Sequence, residues 1–283
     1  MPVDFRTDQR YAHLSRDQVL KHFEEERDLR SCLLDAPKEN RAEAFCWAYD
    51  ELFRRCPWHP ALNERSGMDA PDLVDLRVSN FTRWLPPAAA GVRVLEIGCG
   101  MGELAIGLSG KGYECVGIDV SEVRIRRLQR FESGNLQFRR VEGTKLPFPD
   151  QSFDVAISMQ LFEHLHPEDA GEHLREVFRV LKPGGFYMLE TPNALVGPGD
   201  VSRFFTETAQ GFHLREYTIR ELCGLLGECG FGQVEVLLRW TRVLSANRTV
   251  FLETCWGLLP KGLRRQYSYG MHNPLYLAHR KER

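Results

Sequence analysis

Gly98, Gly100 and Gly102 stand at alternate positions with Glu96 and Glu103 on either side, and no Lys or Arg lies between the two acids. Glycines at a chain reversal let a ligand approach bare backbone, and a helix start just beyond them attracts anions. A pyrophosphate is therefore the first ligand to weigh. The dinucleotide fingerprint asks for a third glycine three residues after the second, and that position is Glu103. Paired carboxylates would repel a phosphate and suit an ammonium or a sulfonium. Cys99, inside the turn, invites a nucleophile reading; its position suits offering backbone to a ligand instead.

The elements that must position this turn can be read around it. Val92, Val94, Leu95 and Ile97 form a short apolar run without helical period, which predicts a buried strand. Residues 103–109 predict the first turns of a helix. Further strands are expected over 113–119, 136–141, 153–159, 186–190, 234–238 and 275–278. Between them, Ser121 is placed to cap a helix carrying Val123, Ile125, Leu128 and Phe131, and Thr218-x-x-Glu221 is a capping box. His166-Pro167 predicts a helix start with proline at its first position. Glu172 and His173 then fall on its solvated face. Repeated strand–helix–strand units imply an α/β, doubly wound, mostly parallel sheet. Ligands of such sheets lie outside the carboxyl ends of the strands, where Glu96, Asp119, Glu142 and Ser158 fall.

Residues 1–85 read as a helical extension. Val19, Leu20, Phe23, Leu29 and Leu33 give one apolar face, and Ala42, Phe45, Cys46, Tyr49, Leu52 and Phe53 another. A third helix is expected after Pro71 with Val74, Val78, Phe81 and Leu85. The run Glu24-Glu25-Glu26 reads as a solvated face. The extension would either cap the substrate opening or serve packing and dimerisation.

Of 283 residues, 37 are Lys or Arg and 39 are Asp or Glu, so no global basic field recruits nucleic acid. The opening residues are polar without a signal-peptide core, and no run approaches the roughly 20 apolar residues of a membrane span. The eight cysteines form no C-x-x-C pair and read as reduced thiols in a cytosolic, cytoplasmic protein. The apolar stretch Val250-Phe-Leu-Glu-Thr-Cys-Trp-Gly-Leu-Leu259, followed by Lys261, Arg264 and Arg265, is expected to pack over the sheet edge or cleft; the other reading is peripheral membrane contact through 250–265.

Glu96-Ile-Gly-Cys-Gly-Met-Gly102 resembles motif I, E-x-G-x-G-x-G, of the class I S-adenosylmethionine (SAM)-dependent methyltransferases. Leu146-Pro-Phe-Pro-Asp-Gln-Ser-Phe-Asp154 is similar to that family's L-P-F-x-D-x-S-F-D segment, and Arg179-Val-Leu-Lys-Pro-Gly-Gly185 to its R-V-L-K-P-G-G turn. The resemblance implies a Rossmann-like methyltransferase domain of seven strands over 86–283, with 241–270 inserted before the last strand, and SAM as cofactor. It implies that Glu96 meets the methionine ammonium and that backbone from Gly98, Cys99, Gly100 and Gly102, with Ser158 or Met159, edges the methionine arm. Asp119, followed by Val120, would take both ribose hydroxyls. Glu142 would accept from the adenine amino group, where most relatives carry Asp, and Gly143 would offer its N–H to the ring.

Gln160-Leu-Phe-Glu-His164 resembles the E-x-x-E-H of ubiquinone-type catechol O-methyltransferases and small-RNA 3′-terminal 2′-O-methyltransferases, as does Thr191-Pro-Asn193. In those branches the acids and histidine bind a divalent metal. Glu163, His164 and His213 would be the counterparts, with Gln160 in place of the first acid weakening any Mg²⁺ site. Without metal, His164 or His213 would serve as general base, since imidazole titrates near neutral pH. The expectation is a SAM-dependent methyltransferase acting on a hydroxyl of a small-molecule or saccharide acceptor. The alternatives are RNA 2′-O-methylation and a SAM-binding regulatory protein without turnover.

Overall fold

The computed structural model describes residues 4–60, 78–88, 91–238, 242–260, 263–264, 271 and 273–280. The apolar runs become strands β1 (Arg93–Ile97), β2 (Glu114–Asp119), β3 (Leu136–Arg140), β4 (Phe153–Met159), β5 (Leu181–Glu190), β6 (Phe231–Leu238), β7 (Arg242–Ser245) and β8 (Leu275–Arg280). They form one eight-stranded sheet in the order β3-β2-β1-β4-β5-β8-β6-β7. The pairs from β3 to β5 are parallel, and β8 pairs antiparallel with both β5 and β6. The eighth strand is β7, which lies inside the expected 241–270 insertion and pairs antiparallel with β6. β5 starts earlier than expected, at Leu181, and its register against β4 shifts between Phe153 and Val155, where residues 182–185 are accommodated.

Both sheet faces are covered, as a parallel sheet requires. Leu95 and Ile97 belong to the core on one face and Val94 to the core on the other. Strand order reverses between β1 and β4, so the crevice outside their carboxyl ends is the place for a ligand.

Seven described helices concern the site. In the N-terminal region α1 (Arg16–Asp35) begins with a Ser15–Gln18 capping box and α2 (Arg41–Arg55) follows. The buried face of α1 carries Val19, Phe23, Leu29 and Leu33, but also His22 and Glu26, while Leu20 is exposed. Glu26 thus departs from the expected solvated face. Val78, Phe81 and Leu85 are buried; Val74 and Pro71 lie outside the described residues. Along the sheet run α3 (Glu103–Gly110), α4 (Glu122–Leu128), α5 (Ala170–Val180), α6 (Ile219–Glu228) and α7 (Ala246–Gly257). Ser121 caps α4 and Thr218 with Glu221 forms the expected box at α6.

Helix α5 starts at Ala170, later than the proline at 167 predicts, because residues 166–169 form a turn closed by Asp169 N–H to the His166 carbonyl. His173, expected on the solvated face, lies on the buried face of α5. It is 3% exposed, and its Nε2 lies 3.3 Å from the Tyr187 hydroxyl, which also bonds Ser158 Oγ at 2.6 Å. Tyr187→Phe would leave two buried polar groups short of a partner, so a loss of about 1–3 kcal/mol is expected in urea unfolding. Burial also pushes His173 down to about 4 from its ordinary 6.5. The unfolded chain therefore binds the proton first as pH falls. Stability declines below pH 6.5, by about 3 kcal/mol on reaching pH 4. A His173→Gln chain unfolded in parallel should lack that component, and equal slopes for both chains would refute it.

Helix α7 packs on α6 and β6 through buried Thr249 and Glu253, in line with the packing reading of that stretch. Its other side leaves Phe251, Leu252 and, just beyond, Leu258 and Leu259 exposed. Among the described residues no helix is long and apolar enough to cross a membrane.

Candidate functional site

The glycine turn adopts left-handed backbone at all three glycines, with φ of 71° at Gly98, 54° at Gly100 and 74° at Gly102. Gly102 has no room for a side chain: a Cβ would fall 2.7 Å from Leu128 Cδ2. A Cβ on Gly100 would meet nothing within 4 Å, so bare backbone faces open volume there. Gly98 and Cys99 donate their N–H groups to the Ile118 carbonyl, which ties the turn to β2. The Cys99 thiol is buried, and burial with Glu96 and Asp119 nearby pushes its pKa far up, so it is no nucleophile at neutral pH.

Asp119 ends β2 and is 7% exposed. Its Oδ2 accepts from Gly100 N at 3.0 Å and its Oδ1 from Ser121 N at 2.9 Å. One carboxylate thereby fixes both the glycine turn and the entrance to α4. Each oxygen keeps a further lone pair, the requirement for a vicinal diol. Glu96 Oε2 accepts from Ala105 N at 2.9 Å and so caps α3, whose N-cap Gly102 has no side chain to do so. The open glycine backbone, the Asp119 acceptors and the buried acid fit a nucleoside with a cationic tail.

The remaining expected contacts divide. Glu142 is exposed and pairs with Arg140, and Gly143 is in left-handed backbone with open space at its Cβ position. The Val120 carbonyl accepts from Arg140 Nε at 3.2 Å. Met159 is half-buried at the end of β4, whereas the Ser158 side chain is wholly buried against Tyr187 and turns away from the turn.

Immediately after β4 the chain brings Glu163, His164 and His213 together, with one ligand atom from each within 4.8 Å of the others. Glu163 is fully buried. Its Oε2 accepts from Thr191 Oγ1 at 2.8 Å, while Oε1 has no hydrogen-bond partner among the described residues and lies 4.0 Å from His213 Nε2. His213 donates from Nδ1 to Glu216 Oε1 at 2.7 Å, and His164 donates from Nδ1 to the Phe212 carbonyl at 2.9 Å. Carboxylate and carbonyl so hold both rings through Nδ1 and leave each Nε2 for another partner, the arrangement that orients metal-ligating imidazoles. The donor set fits a divalent cation. Gln160 takes no part: its Nε2 donates to Glu190 Oε1 at 3.2 Å.

Neither imidazole keeps its ordinary basicity. Burial, with His213 beside it, pushes His164 down to about 3. Burial alone would depress His213 too, but the Glu216 hydrogen bond and the Asp200 and Glu163 charges lift it to about 9. Burial raises Glu163, partly opposed by His213 and Thr191. The near-neutral histidine base expected at this place is therefore replaced by a neutral His164, a cationic His213 and a carboxylate of raised basicity.

The N-terminal helices form one wall. Arg30 of α1 donates to the carbonyls of Gly211, His213 and Leu214, and the rings of Phe45 and Tyr49 of α2 lie 6.1 and 6.4 Å from His164. His166 Nε2 donates to the Leu34 carbonyl at 3.1 Å. A further anchor, Glu253, is hidden in sequence within the apolar stretch of α7. It accepts from Asn193 Nδ2 at 3.0 Å, Ile219 N at 2.7 Å and Arg220 N at 3.0 Å. Glu253→Ala would orphan two buried donors and one part-buried donor, and a loss of about 2–3 kcal/mol is expected from urea midpoints.

Residues 94–185 match the family described as a methyltransferase domain. A probable S-adenosylmethionine-dependent methyltransferase of Mycolicibacterium smegmatis is 35% identical over 143 residues, covering 50% of this chain and 52% of that protein. A ubiquinone/menaquinone biosynthesis C-methyltransferase of Ectopseudomonas oleovorans is 40% identical over 114 residues, covering 37% of this chain and 65% of that protein. The chain thus spans about half the length of the first of these relatives and under two thirds of the second. The crystal structure of an S-adenosylmethionine-dependent methyltransferase from Mesorhizobium loti has the same fold, with a TM-score of 0.51 and 20% identity over 77% of this chain and 100% of that one.

Proposed function

We infer that this chain, which belongs to the class I SAM-dependent methyltransferases, methylates a hydroxyl of a small-molecule or saccharide acceptor. The observation that carries this reading is the orphaned Oε1 of fully buried Glu163 beside two oriented imidazoles. SAM supplies an electrophilic methyl on a sulfonium. Asp119 and the open backbone at Gly100 hold its nucleoside end, and Glu96, at the end of β1, supplies a second negative charge for the cationic tail.

A hydroxyl acceptor must lose a proton as it attacks. Glu163 Oε1 takes that proton, and its raised basicity favours the transfer. His213, cationic between Glu216 and Glu163, balances the buried carboxylates and partly opposes the rise that burial gives Glu163. His164 Nε2 accepts from, and so orients, a neighbouring donor. Alignment of the attacking oxygen with the methyl is worth about 7–11 kcal/mol, and the walls built by α1, α2 and residues 211–214 support it. Glu163, His164 and His213 would also hold a divalent cation, which would lower the acceptor hydroxyl pKa. A carbon acceptor, as the name of the E. oleovorans relative states for that protein, would not need so dense a set of polar groups beside the methyl.

The test is incubation of the purified chain with methyl-labelled SAM and extract of cells lacking it. Label in a small-molecule or saccharide fraction, stable to mild base as an ether is, would support the reading. Label in RNA alone would replace the acceptor class. Binding of SAM with no labelled product from any extract would favour a regulatory protein.

A further inference from the structure

We propose that His22, Glu26 and His59 form a zinc-type cation site of their own, separate from the Glu163 cluster, which clamps the N-terminal helices onto the loop carrying His213. Helix α1 sets His22 and Glu26 four residues apart on its buried face. His59 follows α2 in a turn closed by its N–H to the Cys56 carbonyl. All three are buried, at 0%, 6% and 8% exposure, although they are groups that ordinarily seek water. Their ligand atoms all lie within 4.8 Å of one another.

The geometry is that of a small cation's shell. His22 Nε2 is 2.7 Å and His59 Nε2 3.9 Å from the same oxygen, Glu26 Oε1. A tetrahedral zinc with bonds near 2.0–2.1 Å asks for ligand edges of about 3.3 Å, midway between those values. The other oxygen, Oε2, accepts from Phe212 N at 3.0 Å, which turns Oε1 toward the imidazoles. Two nitrogens and one carboxylate oxygen are a zinc set rather than a calcium or magnesium set.

A plain ion pair accounts for less. One imidazolium would suffice for Glu26, and a second buried imidazole converging on the same oxygen adds desolvation cost without adding balance. His22 Nδ1 is buried with no partner among the described residues, so the ring is held through Nε2 and Glu26 alone. Asp200 supplies a second buried carboxylate close by: a Cβ on Gly211 would fall 2.1 Å from Glu26 Oε2 and 2.8 Å from Asp200 Oδ2. Two imidazoles and two carboxylates suit a doubly charged ion.

The site reaches the acceptor region through one residue. The Phe212 N–H goes to Glu26 and the Phe212 carbonyl accepts from His164 Nδ1. Securing Glu26 with a cation would hold the Phe212 peptide and hence the His164 ring. This role stands whether or not the Glu163 cluster binds an ion.

The experiment uses the full chain stripped with chelator and titrated with Co²⁺, read by its tetrahedral absorption, and with Zn²⁺, read by indicator competition and by thermal midpoint. One ion should bind in the Glu163→Gln chain, which keeps this site. His59→Gln and Glu26→Gln should each bind one ion fewer than the wild type, or bind it at least ~100-fold more weakly, and lose the zinc-dependent rise in midpoint. His59 lies outside helices, so His59→Gln, checked by circular dichroism, keeps the test valid if the Glu26 variant does not fold. Wild-type affinity in His59→Gln, no ion in the wild type, or loss of all binding in Glu163→Gln would overturn the proposal.

Discussion

Asp119→Ala is expected to bind SAM at least ~100-fold more weakly than the wild type. The carboxylate has two tasks. It accepts the N–H groups of Gly100 and Ser121, and under the proposed function its remaining lone pairs take the ribose hydroxyls. A hydrogen bond to a charged group contributes about 1.5–3 kcal/mol. Two such bonds to a diol give about 3–6 kcal/mol, at least two decades of affinity. Loosening the glycine turn adds to the loss. Asp119→Asn keeps one acceptor and should fall between. Calorimetry with SAM and with its demethylated product would measure this, and near wild-type affinity in the Ala chain would show that the nucleoside is held elsewhere. The contrast with Glu142 is informative: that acid is exposed and already paired with Arg140, so its removal should matter much less.

This end of the site was open to reading because its chemistry is local. Glu96, the glycines and Asp119 owe their positions to backbone turns at the ends of β1 and β2, and turn chemistry is written in adjacent residues. The parallel half of the sheet was legible for the same reason, through apolar runs and the caps at Ser121 and Thr218. Residues joined by long-range packing were not. Glu26 sits in an acidic run that looks solvated, yet the helix phase points it inward at His22 and Phe212. Glu253 sits in an apolar stretch and turns out to bind the start of α6. Strand β7 is only four residues long, too short for a two-residue period to stand out. Ser158 lay at the right strand end with its side chain on the wrong face, committed to Tyr187. Glu216, only three residues from His213, could have been found by asking what holds that histidine's second nitrogen.

The acceptor end is a balance of charges that no single residue reveals. Glu163 and Glu216 flank His213, Asp200 accepts from the His213 N–H at 3.4 Å, and Arg30 ties the same loop to α1. Removing His213 would leave these carboxylates repelling one another in a buried space, so its loss should disturb folding as well as turnover. Glu163 is the cleaner probe. Glu163→Gln keeps the shape and can keep the Thr191 hydrogen bond, while removing the charge and the proton acceptor. Turnover is expected to fall about 10²–10⁴-fold, the usual contribution of a positioned base, with SAM affinity unchanged because the proposed nucleoside contact, Asp119, lies at the end of β2. A purely structural role would instead lower the unfolding midpoint and weaken SAM binding together. Single-turnover rates with saturating SAM separate the two outcomes, and a Glu163→Gln chain that methylates at the wild-type rate would remove Glu163 from the chemistry.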